Sequence, residues 1–339
     1  MLRLSIIVPM YNVAPYVEKC IRSLENQDIP KSEYEIICVN DGSPDNCKEI
    51  VERLQMEFVN IKLIHQENQG VSRARNNAID KAKGKYILFI DPDDYVDDYS
   101  FKRVVMNAEK CSAQIAFLGF TFQNEDGSVR NRVYHEKNSG WIYAGIEAYF
   151  IARGDGKTDP DRLWAVLLDR NFLDRNQLRF IPDIPYLEDG ELMARLMCLA
   201  ERCVFEGNSF YQRTTRIGSA TNSGLFYSER AVRGFVRAAQ NLRNFQQSEF
   251  LSSEQKVFLN QPIVKFTHLS LFPYCSINRL FDFLRAYNQL KQAGLSKLDL
   301  TSCNVYYRME GELLKIWSLL FFIHRLLGVP LFRFVKYKI

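Results

Sequence analysis

One stretch of the 339-residue sequence constrains the fold more than any other: Lys85-Tyr-Ile-Leu-Phe-Ile-Asp91-Pro92-Asp93-Asp94. Its apolar run is too short for a core helix and lacks the alternation of a half-exposed strand, so it predicts a parallel strand buried on both faces. The run ends in three carboxylates, which repel one another unless a divalent cation or a cationic side chain lies between them. Ligands of open α/β sheets bind at this edge. The alternative is an acidic turn that only caps the following helix.

The first third of the chain alternates strands with helices. Strands are predicted at 4–8, 34–39 and 61–64, and a helix follows each of them, the third one ending at Gly84 as a C-cap glycine. This β-α-β-α-β-α-β order predicts a Rossmann-like α/β fold, with a mostly parallel central sheet flanked by helices and joined by right-handed crossovers.

Helices and strands are mixed after Asp94, and the chain is predicted to be helical from about residue 228 to the end. The elements predicted in between are a helix over 98–110, strands over 114–122 and 128–134 joined by a turn at 125–127, helices over 145–152, 162–173 and 188–200, and a strand over 204–212.

Polar or glycine-containing sequences follow the four predicted parallel strands, at Pro9–Asn12, Asp41–Ser43, Asn68–Arg75 and Asp91–Asp94. Each has an ordinary structural explanation: Asp-Gly-Ser is a common turn, Asn12 would cap the next helix, and arginines on helices usually face solvent. Because the carboxyl ends of parallel strands share one edge of a sheet, the four clusters together favour one ligand site.

The residue types at these strand ends suit a nucleotide-diphosphate sugar. Asp41 can accept hydrogen bonds from the N–H groups of a base. Asp91 and Asp93 can hold a divalent metal that bridges the diphosphate and neutralises charge on the leaving group. Arg75 can place a fixed positive charge near a phosphate or reach the carboxylates.

Residues 4–95 resemble the nucleotide-binding half of family 2 glycosyltransferases, which have the GT-A fold. The resemblance rests on four segments in this order and spacing: SIIVPMYN at 5–12, VNDGSPD at 39–45, NQGVSRARN at 68–76 and IDPDD at 90–94. It implies an inverting transferase that uses a nucleotide-diphosphate sugar, most often UDP-linked, together with Mg²⁺ or Mn²⁺.

By this likeness Asp41 would bind the nucleobase, and Asp91 and Asp93 would form the metal-binding D-x-D element. Pro92 departs from the usual small residue between the two acids and stiffens the loop. The donor-binding residues implied in this half are Pro9, Tyr11, Asn12, Asp41, Ser43, Asn68, Gly70, Arg75, Asp91 and Asp93.

A candidate for the catalytic base lies at Glu188-Asp189, ahead of an amphipathic helix. Acids in the first turn of a helix are favoured by its dipole and often have no other role. The resemblance implies that Asp189 is the general base that takes the proton from the acceptor hydroxyl. Glu188 would support it, or would itself be the base if the register is off by one.

The resemblance extends to about residue 222 and includes three further residues of the donor site. Trp164 is either a stacking platform for a sugar or part of the core, and the family places such a tryptophan on a helix. Arg213 and Arg216 would contact phosphate, and Arg216 belongs to a segment like a basic loop that closes over the diphosphate. Surface charge is the alternative for Arg216.

We therefore expect a catalytic domain at 1–225, with a nucleotide-sugar-binding half at 1–97 and an acceptor-side half at 98–225, followed by a helical region at 226–339. The expected function is metal-assisted transfer of a sugar to a glycan or lipid-linked acceptor in bacterial cell-surface polysaccharide synthesis. One rival is a catalytically silent scaffold that binds nucleotide-sugars. A sugar-phosphate nucleotidyltransferase is disfavoured, because it should carry a Gly-rich basic loop where Pro9–Asn12 stands.

The last stretch, 312–339, joins a Leu- and Phe-rich run to a basic-aromatic tail. The run is too short to span a bilayer. Two interpretations stay open: an interfacial segment on an anionic membrane, or a terminal helix packed on the enzyme or at a homo-oligomer interface.

Charge and cysteine content limit the remaining partners. The net charge of +4 does not predict nucleic-acid binding, and the eight cysteines contain no CxxC pair, which predicts reduced thiols and no zinc site. No cationic, apolar leader precedes Leu4, so we expect a cytoplasmic protein, peripheral on the inner face of the membrane if the last segment binds lipid.

Overall fold

The computed structural model describes residues 2–124, 126–154, 160–214 and 224–336, with the side chains of 224 and 328–336 outside that description. The chain divides into two compact units. The first unit holds Met1–Asp183 and Arg195–Ser219, and the second unit holds Ile184–Ala194 and Ala220–Ile339.

A mixed sheet forms the centre of the first unit. Its strands, in the part of the chain that the structure describes, are β1 (Leu4–Met10), β2 (Tyr34–Asp41), β3 (Ile61–Gln66), β4 (Tyr86–Phe89), β5 (Tyr95–Val96), β6 (Ile115–Gln123), β7 (Val129–Val133), β8 (Val166–Asp169) and β9 (Cys203–Thr214). They are ordered β3-β2-β1-β4-β8-β6-β9-β5, with β7 beside β6. The strands β1 to β4 pair in parallel, as predicted, and antiparallel pairs appear beyond β4. The predicted α/β class is confirmed.

Helices connect these strands and bury one face each. Those wholly within the first unit, among the described residues, are α1 (Ala14–Glu25), α2 (Cys47–Glu57), α3 (Val71–Lys81), α4 (Phe101–Lys110), α5 (Gly145–Arg153) and α6 (Arg170–Arg175). The predicted apolar face of α1, which includes Val17, Ile21 and Leu24, is fully buried. A further helix, α7 (Glu188–Leu199), begins in the second unit and ends in the first.

Gly84 does not cap α3, which ends three residues earlier, before the extended residue Ala82. A Cβ at Gly84 would lie 2.4 Å from the Ser5 backbone nitrogen, and the Gly84 N–H donates to Ser5 Oγ (2.8 Å). The glycine is therefore needed for the close approach of the chain to the start of β1, and the predicted capping role is wrong.

The helix predicted over 162–173 is also wrong. Val166–Asp169 forms β8, and only Arg170–Arg175 is helical. β8 lies between β4 and β6, antiparallel to both, and Val166 to Leu168 are fully buried. A short apolar run buried on both faces has no period that separates strand from helix, so the neighbouring strands decide its conformation. Trp164 consequently precedes a strand and is not on a helix.

The second unit is helical, as predicted for the region after 228. Its described helices, besides the start of α7, are α8 (Glu229–Gln246), α9 (Ser253–Phe258), α10 (Asn260–Leu271), α11 (Leu280–Gln292), α12 (Val305–Ile316) and α13 (Ser318–Lys336). Pro330 lies inside α13. Among the described residues, every helix is too short or too polar to cross a membrane.

A buried ion cluster holds α13 to α12 and α10. Glu310 of α12 is fully buried, and its Oε1 lies 2.6 Å from Arg325 Nε of α13. Its Oε2 accepts a hydrogen bond from Arg325 Nη2 (2.9 Å) and lies 3.2 Å from His268 Nδ1 of α10. Burial lowers the pKa of His268 although Glu310 opposes this. The Glu310 carboxylate thus stabilises a mostly buried guanidinium.

The substitution Glu310→Gln should destabilise the second unit. It leaves the Arg325 guanidinium without a charged partner, which costs about 3 kcal/mol in the free energy of unfolding. Urea denaturation followed by circular dichroism measures this. Glu312→Gln is the control, because Glu312 pairs with Lys315 at the exposed surface of the same helix and should change stability by less than about 1 kcal/mol. Equal effects of the two changes would contradict the assigned role of Glu310.

Candidate functional site

The ends of β1 and β2 are joined through Ser43. Asn12 adopts a left-handed φ of 55°, and its backbone N–H donates to Ser43 Oγ (2.7 Å). The suggestion that the Asn12 side chain caps α1 is wrong, because the N-cap residue is Val13 and no side chain caps the helix. Next to Asn12, Pro9 is buried in β1 and Tyr11 is 51% exposed.

Asp45, which the sequence interpretation did not place in the site, holds the same two strand ends. Its carboxylate accepts hydrogen bonds from Ser43 Oγ (2.7 Å) and from the N–H groups of Ala14 (2.7 Å) and Cys47 (3.2 Å). Burial opposes ionisation of Asp45, but these hydrogen bonds outweigh it and lower the pKa of Asp45 to about 2. A charged anchor therefore fixes this loop at neutral pH.

Asp41 organises the loop between β3 and α3. It is 4% exposed, and its carboxylate accepts from the Gln69 N–H, the Gly70 N–H and Gln66 Nε2, each at 2.8 Å. Gly70 has a φ of 86°, which favours glycine. The predicted residues Asp41 and Gly70 are thus brought into direct contact.

Asn68 lies against the turn that follows Asp41. Gly42 has a φ of 64°, and a Cβ there would lie 2.7 Å from the Asn68 backbone nitrogen. The close approach of these two segments therefore requires glycine at position 42.

Arg75 and Asp91 form an ion pair at the end of β4. Arg75 Nη2 lies 3.2 Å from Asp91 Oδ1, and the Arg75 side chain is 6% exposed while that of Asp91 is 31% exposed. The guanidinium lies over the rings of Phe180 (5.1 Å) and Phe89 (5.9 Å). The sequence predicts either a divalent cation or a cationic side chain among the acids. The guanidinium of Arg75, from α3, is such a side chain.

Asp94 ties the acidic loop to β9. Its carboxylate accepts from Tyr211 Oη (2.7 Å) and from the Thr214 N–H (2.7 Å), and Tyr211 Oη accepts from the Asp91 N–H (3.2 Å). Thr214 Oγ1 also donates to the carbonyl of Asp93. Asp94 and Tyr211 are both buried. Asp94 is thus a loop anchor, and its side chain contacts β9, which lies far away in sequence.

The acidic loop carries excess negative charge. Burial, together with the charges of Asp91 and Asp93, raises the pKa of Asp94 to about 8, although the bonds from Tyr211 and Thr214 oppose this. Pro92 is buried within the same loop, which gives this unexpected proline a packing role.

Trp164 is brought to this edge with Arg213. The backbone of Trp164 bridges Phe89 at the end of β4, and its half-buried ring lies 5.0 Å from Phe120 and 5.1 Å from Tyr211. The guanidinium of Arg213 lies 5.0 Å from the Trp164 ring. Trp164 therefore packs partly on the core, and its role toward a sugar stays a prediction.

The predicted base lies in the other unit. Glu188 and Asp189 are the first two residues of α7 and belong to the second unit, so their catalytic roles stay predictions. Arg216 lies outside the described residues.

Asp91 and Asp93 fit a divalent cation that also binds phosphate. Within the described part of the chain, no three His, Cys, Asp or Glu side chains gather into a complete metal site. Mg²⁺ is usually held by one or two carboxylates together with water and substrate phosphates, so two acids are sufficient. Asp91 and Asp93 also repel a charge on Asp94, since both contribute, after burial, to its raised pKa.

Comparison with known proteins places the chain in a family. The family model described as "Glycosyl transferase family 2" matches residues 5–169. Glycosyltransferase GlyG of Streptococcus pneumoniae is 32% identical over 223 residues, which is 64% of this chain and 72% of GlyG. The chain belongs to glycosyltransferase family 2. This family 2 chain is also 37% identical over 208 residues to the uncharacterized glycosyltransferase EpsJ of Bacillus subtilis, and the match spans 58% of the chain and 57% of EpsJ.

Solved structures share the fold of this family 2 chain. TarS 1–349 of S. aureus, in complex with UDP-GlcNAc, superimposes with a TM-score of 0.70 at 18% identity, covering 96% of this chain and 89% of that one. The mannosyltransferase PcManGT of Pyrobaculum calidifontis, with GDP-Man and Mn²⁺, gives a TM-score of 0.52 at 14% identity, covering 96% and 88%. The predicted GT-A fold with a helical C-terminal region is confirmed.

Three residues that shape the site are not predicted from the sequence. Asp45, Tyr211 and Thr214 each act on residues far from them in sequence, and a single sequence holds no signal for such pairs. Tyr211 stands two residues before Arg213, which the family likeness includes, but a buried aromatic residue in a strand is more often core.

The substitution Tyr211→Phe should weaken binding of UDP with Mn²⁺ while the protein stays folded. The Asp91 N–H and the Asp94 carboxylate lose a common partner, so we expect about tenfold weaker binding, or about 1.4 kcal/mol. Isothermal titration calorimetry measures it. Tyr95→Phe is the matched control, because the Tyr95 hydroxyl donates to Gln123 and does not contact the acids. Unchanged affinity in Tyr211→Phe would show that Tyr211 does not position the loop.

Proposed function

We propose that this chain is an inverting glycosyltransferase that moves a sugar from a nucleotide-diphosphate donor, UDP-linked, to a hydroxyl of a glycan or lipid-linked acceptor. One observation carries the proposal, in a chain of family 2: Asp41 ends β2, Asp91 and Asp93 follow β4, and these two parallel strands lie on either side of β1. Arg75 of α3 pairs with Asp91 at the same edge. That edge offers an acceptor for a base, a cation for phosphate and carboxylates for a metal.

Each residue has a task set by its surroundings. Asp41, held by two backbone N–H groups, would accept from a base N–H. Asp91 and Asp93 would hold Mg²⁺ or Mn²⁺, which when bound neutralises charge on the diphosphate. Arg75 would keep Asp91 oriented, and Trp164, Arg213 and Arg216 would line the donor. The Mn²⁺ in the structure of PcManGT supports metal use.

Asp189 would supply the general base. It takes the proton from the acceptor hydroxyl while that oxygen forms a bond to the anomeric carbon. The bond from that carbon to the diphosphate oxygen breaks, and the diphosphate leaves with the electron pair. Attack opposite the leaving group inverts the anomeric centre.

The names of two relatives support a polymer as the acceptor. TarS of Staphylococcus aureus, 38% identical over 232 residues, is named a poly(ribitol-phosphate) β-N-acetylglucosaminyltransferase. A protein of Bacillus spizizenii, 39% identical over 104 residues, is named a poly(ribitol-phosphate) β-glucosyltransferase. These matches cover 38% and 16% of the relatives, so the whole-protein activity is our proposal. A polyol-phosphate chain is the acceptor class that they favour.

We further propose a cytoplasmic enzyme whose last helices contact the membrane surface. Four exposed apolar side chains support this: Ile316, Trp317, Ile323 and Leu327. The sequence has no acidic residue after Glu312 and several basic ones, which suits anionic lipid. A homo-oligomer interface is the other use of this surface. The division into a catalytic domain at 1–225 and a C-terminal region at 226–339 is part of the same proposal.

The substitution Asp93→Ala should abolish metal-dependent use of the donor. Loss of a metal ligand should lower the rate of UDP-GlcNAc hydrolysis on the order of 100-fold and remove the Mn²⁺ dependence of UDP binding. Donor hydrolysis and calorimetry measure the two effects. Asp98→Asn, an exposed acid nearby, is the control and should behave as wild type. A wild-type rate of UDP-GlcNAc hydrolysis in Asp93→Ala would contradict the role of Asp93 as a metal ligand.

The substitution Asp189→Asn should stop transfer and leave donor binding intact. Removal of the general base should lower transfer to a polyol-phosphate acceptor by about 100- to 10,000-fold. Transfer of labelled sugar measures the rate, and UDP binding by calorimetry measures the retained step. Glu188→Gln is the comparison, since only one of the two acids can be the base. If both variants transfer normally, the base is elsewhere; if wild type binds UDP but transfers nothing from any UDP- or GDP-sugar, the scaffold is the better description.

A further inference from the structure

A cleft lies at the opposite edge of the sheet from the donor residues. Its volume is about 260 Å³, and it is lined by the start of β4 and the end of β8, with α6 and the residues that precede β6 and β9. Tyr86 is buried in its wall, while Ser112, Arg175 and Arg202 are exposed and Lys85 is half-buried. The cleft therefore has a buried side and a rim in water.

Three cations line this cleft, and none of them has a carboxylate partner within the described part of the chain. Arg202 donates to the carbonyls of Cys111 and Ser112, and Arg175 Nε donates to the carbonyl of Asn171 (3.3 Å). Lys85 Nζ lies 5.2 Å from the Tyr86 ring. Elsewhere in the first unit, cations such as Arg3 and Arg179 are ion-paired.

Among the described residues, one carboxylate lines the cleft. Asp169 accepts from the Phe172 N–H (2.7 Å) as the N-cap of α6. Glu109 lies near enough to act on Tyr86, but it pairs with Arg3 at 2.6 Å. The lining side chains therefore leave a net positive charge of about two, which favours an anion.

Tyr86 supplies an independent sign of a ligand. It is 1% exposed, and its hydroxyl has no hydrogen-bond partner among the described atoms. A buried hydroxyl without a partner costs about 1–3 kcal/mol, so such groups are rare unless something binds them. Burial and the charge of Asp169 raise the pKa of Tyr86, which keeps the hydroxyl a donor.

We propose that this cleft binds a phosphodiester group of the acceptor chain, at a point away from the transfer site. The source of the phosphate rests on the proposed function, and the anion-binding chemistry does not. Tyr86 begins β4 and Asp91 follows the end of that strand, so the two are five residues apart, or roughly 17 Å if the segment is extended. An extended polyol-phosphate chain can reach both edges, and a second contact would hold it between transfers.

The test compares variants that remove charge and leave side-chain length nearly intact. Lys85→Gln with Arg175→Gln removes two positive charges from the cleft. Lys48→Gln with Arg53→Gln removes two from the surface of α2 and is the control. Arg202 is left unchanged because it holds backbone carbonyls. Tyr86→Phe deletes only the hydroxyl, which has no partner to lose, so this variant should fold at least as well as wild type.

Binding is measured by fluorescence anisotropy with a labelled polyol-phosphate chain, and with inorganic phosphate as competitor. The cleft pair should weaken binding about tenfold at low salt, Tyr86→Phe about threefold, and the control pair less than about twofold. UDP binding should stay at the wild-type value in all of them. Equal polymer affinity in the cleft pair and the control pair would overturn the proposal. Binding of inorganic phosphate by the cleft without binding of the polymer chain would overturn it too.

Hydrolysis of UDP-GlcNAc by the wild-type chain separates this proposal from the proposed function. If the chain hydrolyses no sugar nucleotide but the cleft pair still loses polymer binding, the transferase assignment fails and the anion site stands. If hydrolysis is normal and polymer binding is the same in all variants, the anion site fails and the transferase assignment stands.

Discussion

Negative charge crowded after β4 is the constraint on which the rest of the first unit depends. Three acids stand within four residues, and two elements far apart in sequence hold them: α3 through Arg75, and β9 through Tyr211 and Thr214. Even with these contacts the pKa of Asp94 is raised, first by burial and then by the charges of Asp91 and Asp93. The proposed metal ion would add positive charge to this loop, and Asp91 and Asp93 are the carboxylates that would hold it.

The two edges of the sheet differ in the sign of their charge. Acids gather where the parallel strands end, and cations with no carboxylate partner in the described part of the chain gather where β4 begins. A donor that carries its own metal suits the first edge, and an anionic polymer suits the second. With the donor and acceptor sites as proposed, the sheet would separate two ligands that would otherwise compete, because both are rich in phosphate oxygens.

Local patterns in the sequence were sufficient for the parallel half of the fold and for the residues at its edge. Strands such as Leu4–Met10 are buried on both faces and have no period of their own, but the amphipathic helices that alternate with them identify them as strands of a parallel sheet. Val166–Asp169 was mistaken for helix because only β4 and β6, on either side of it, make it a strand. Asp45 and Tyr211 were missed because their partners depend on the register of the folded sheet, which no single stretch encodes.

The Asp94 anchor bears on how acceptor preference can be re-engineered. A chimera cut near residue 97 would join the donor half of one transferase to the acceptor half of another. It would also separate Asp94 from the tyrosine and threonine of β9 that complete the loop. These three residues contact one another from both sides of the cut. A graft that transfers them together would keep the donor loop intact while the proposed acceptor half changes.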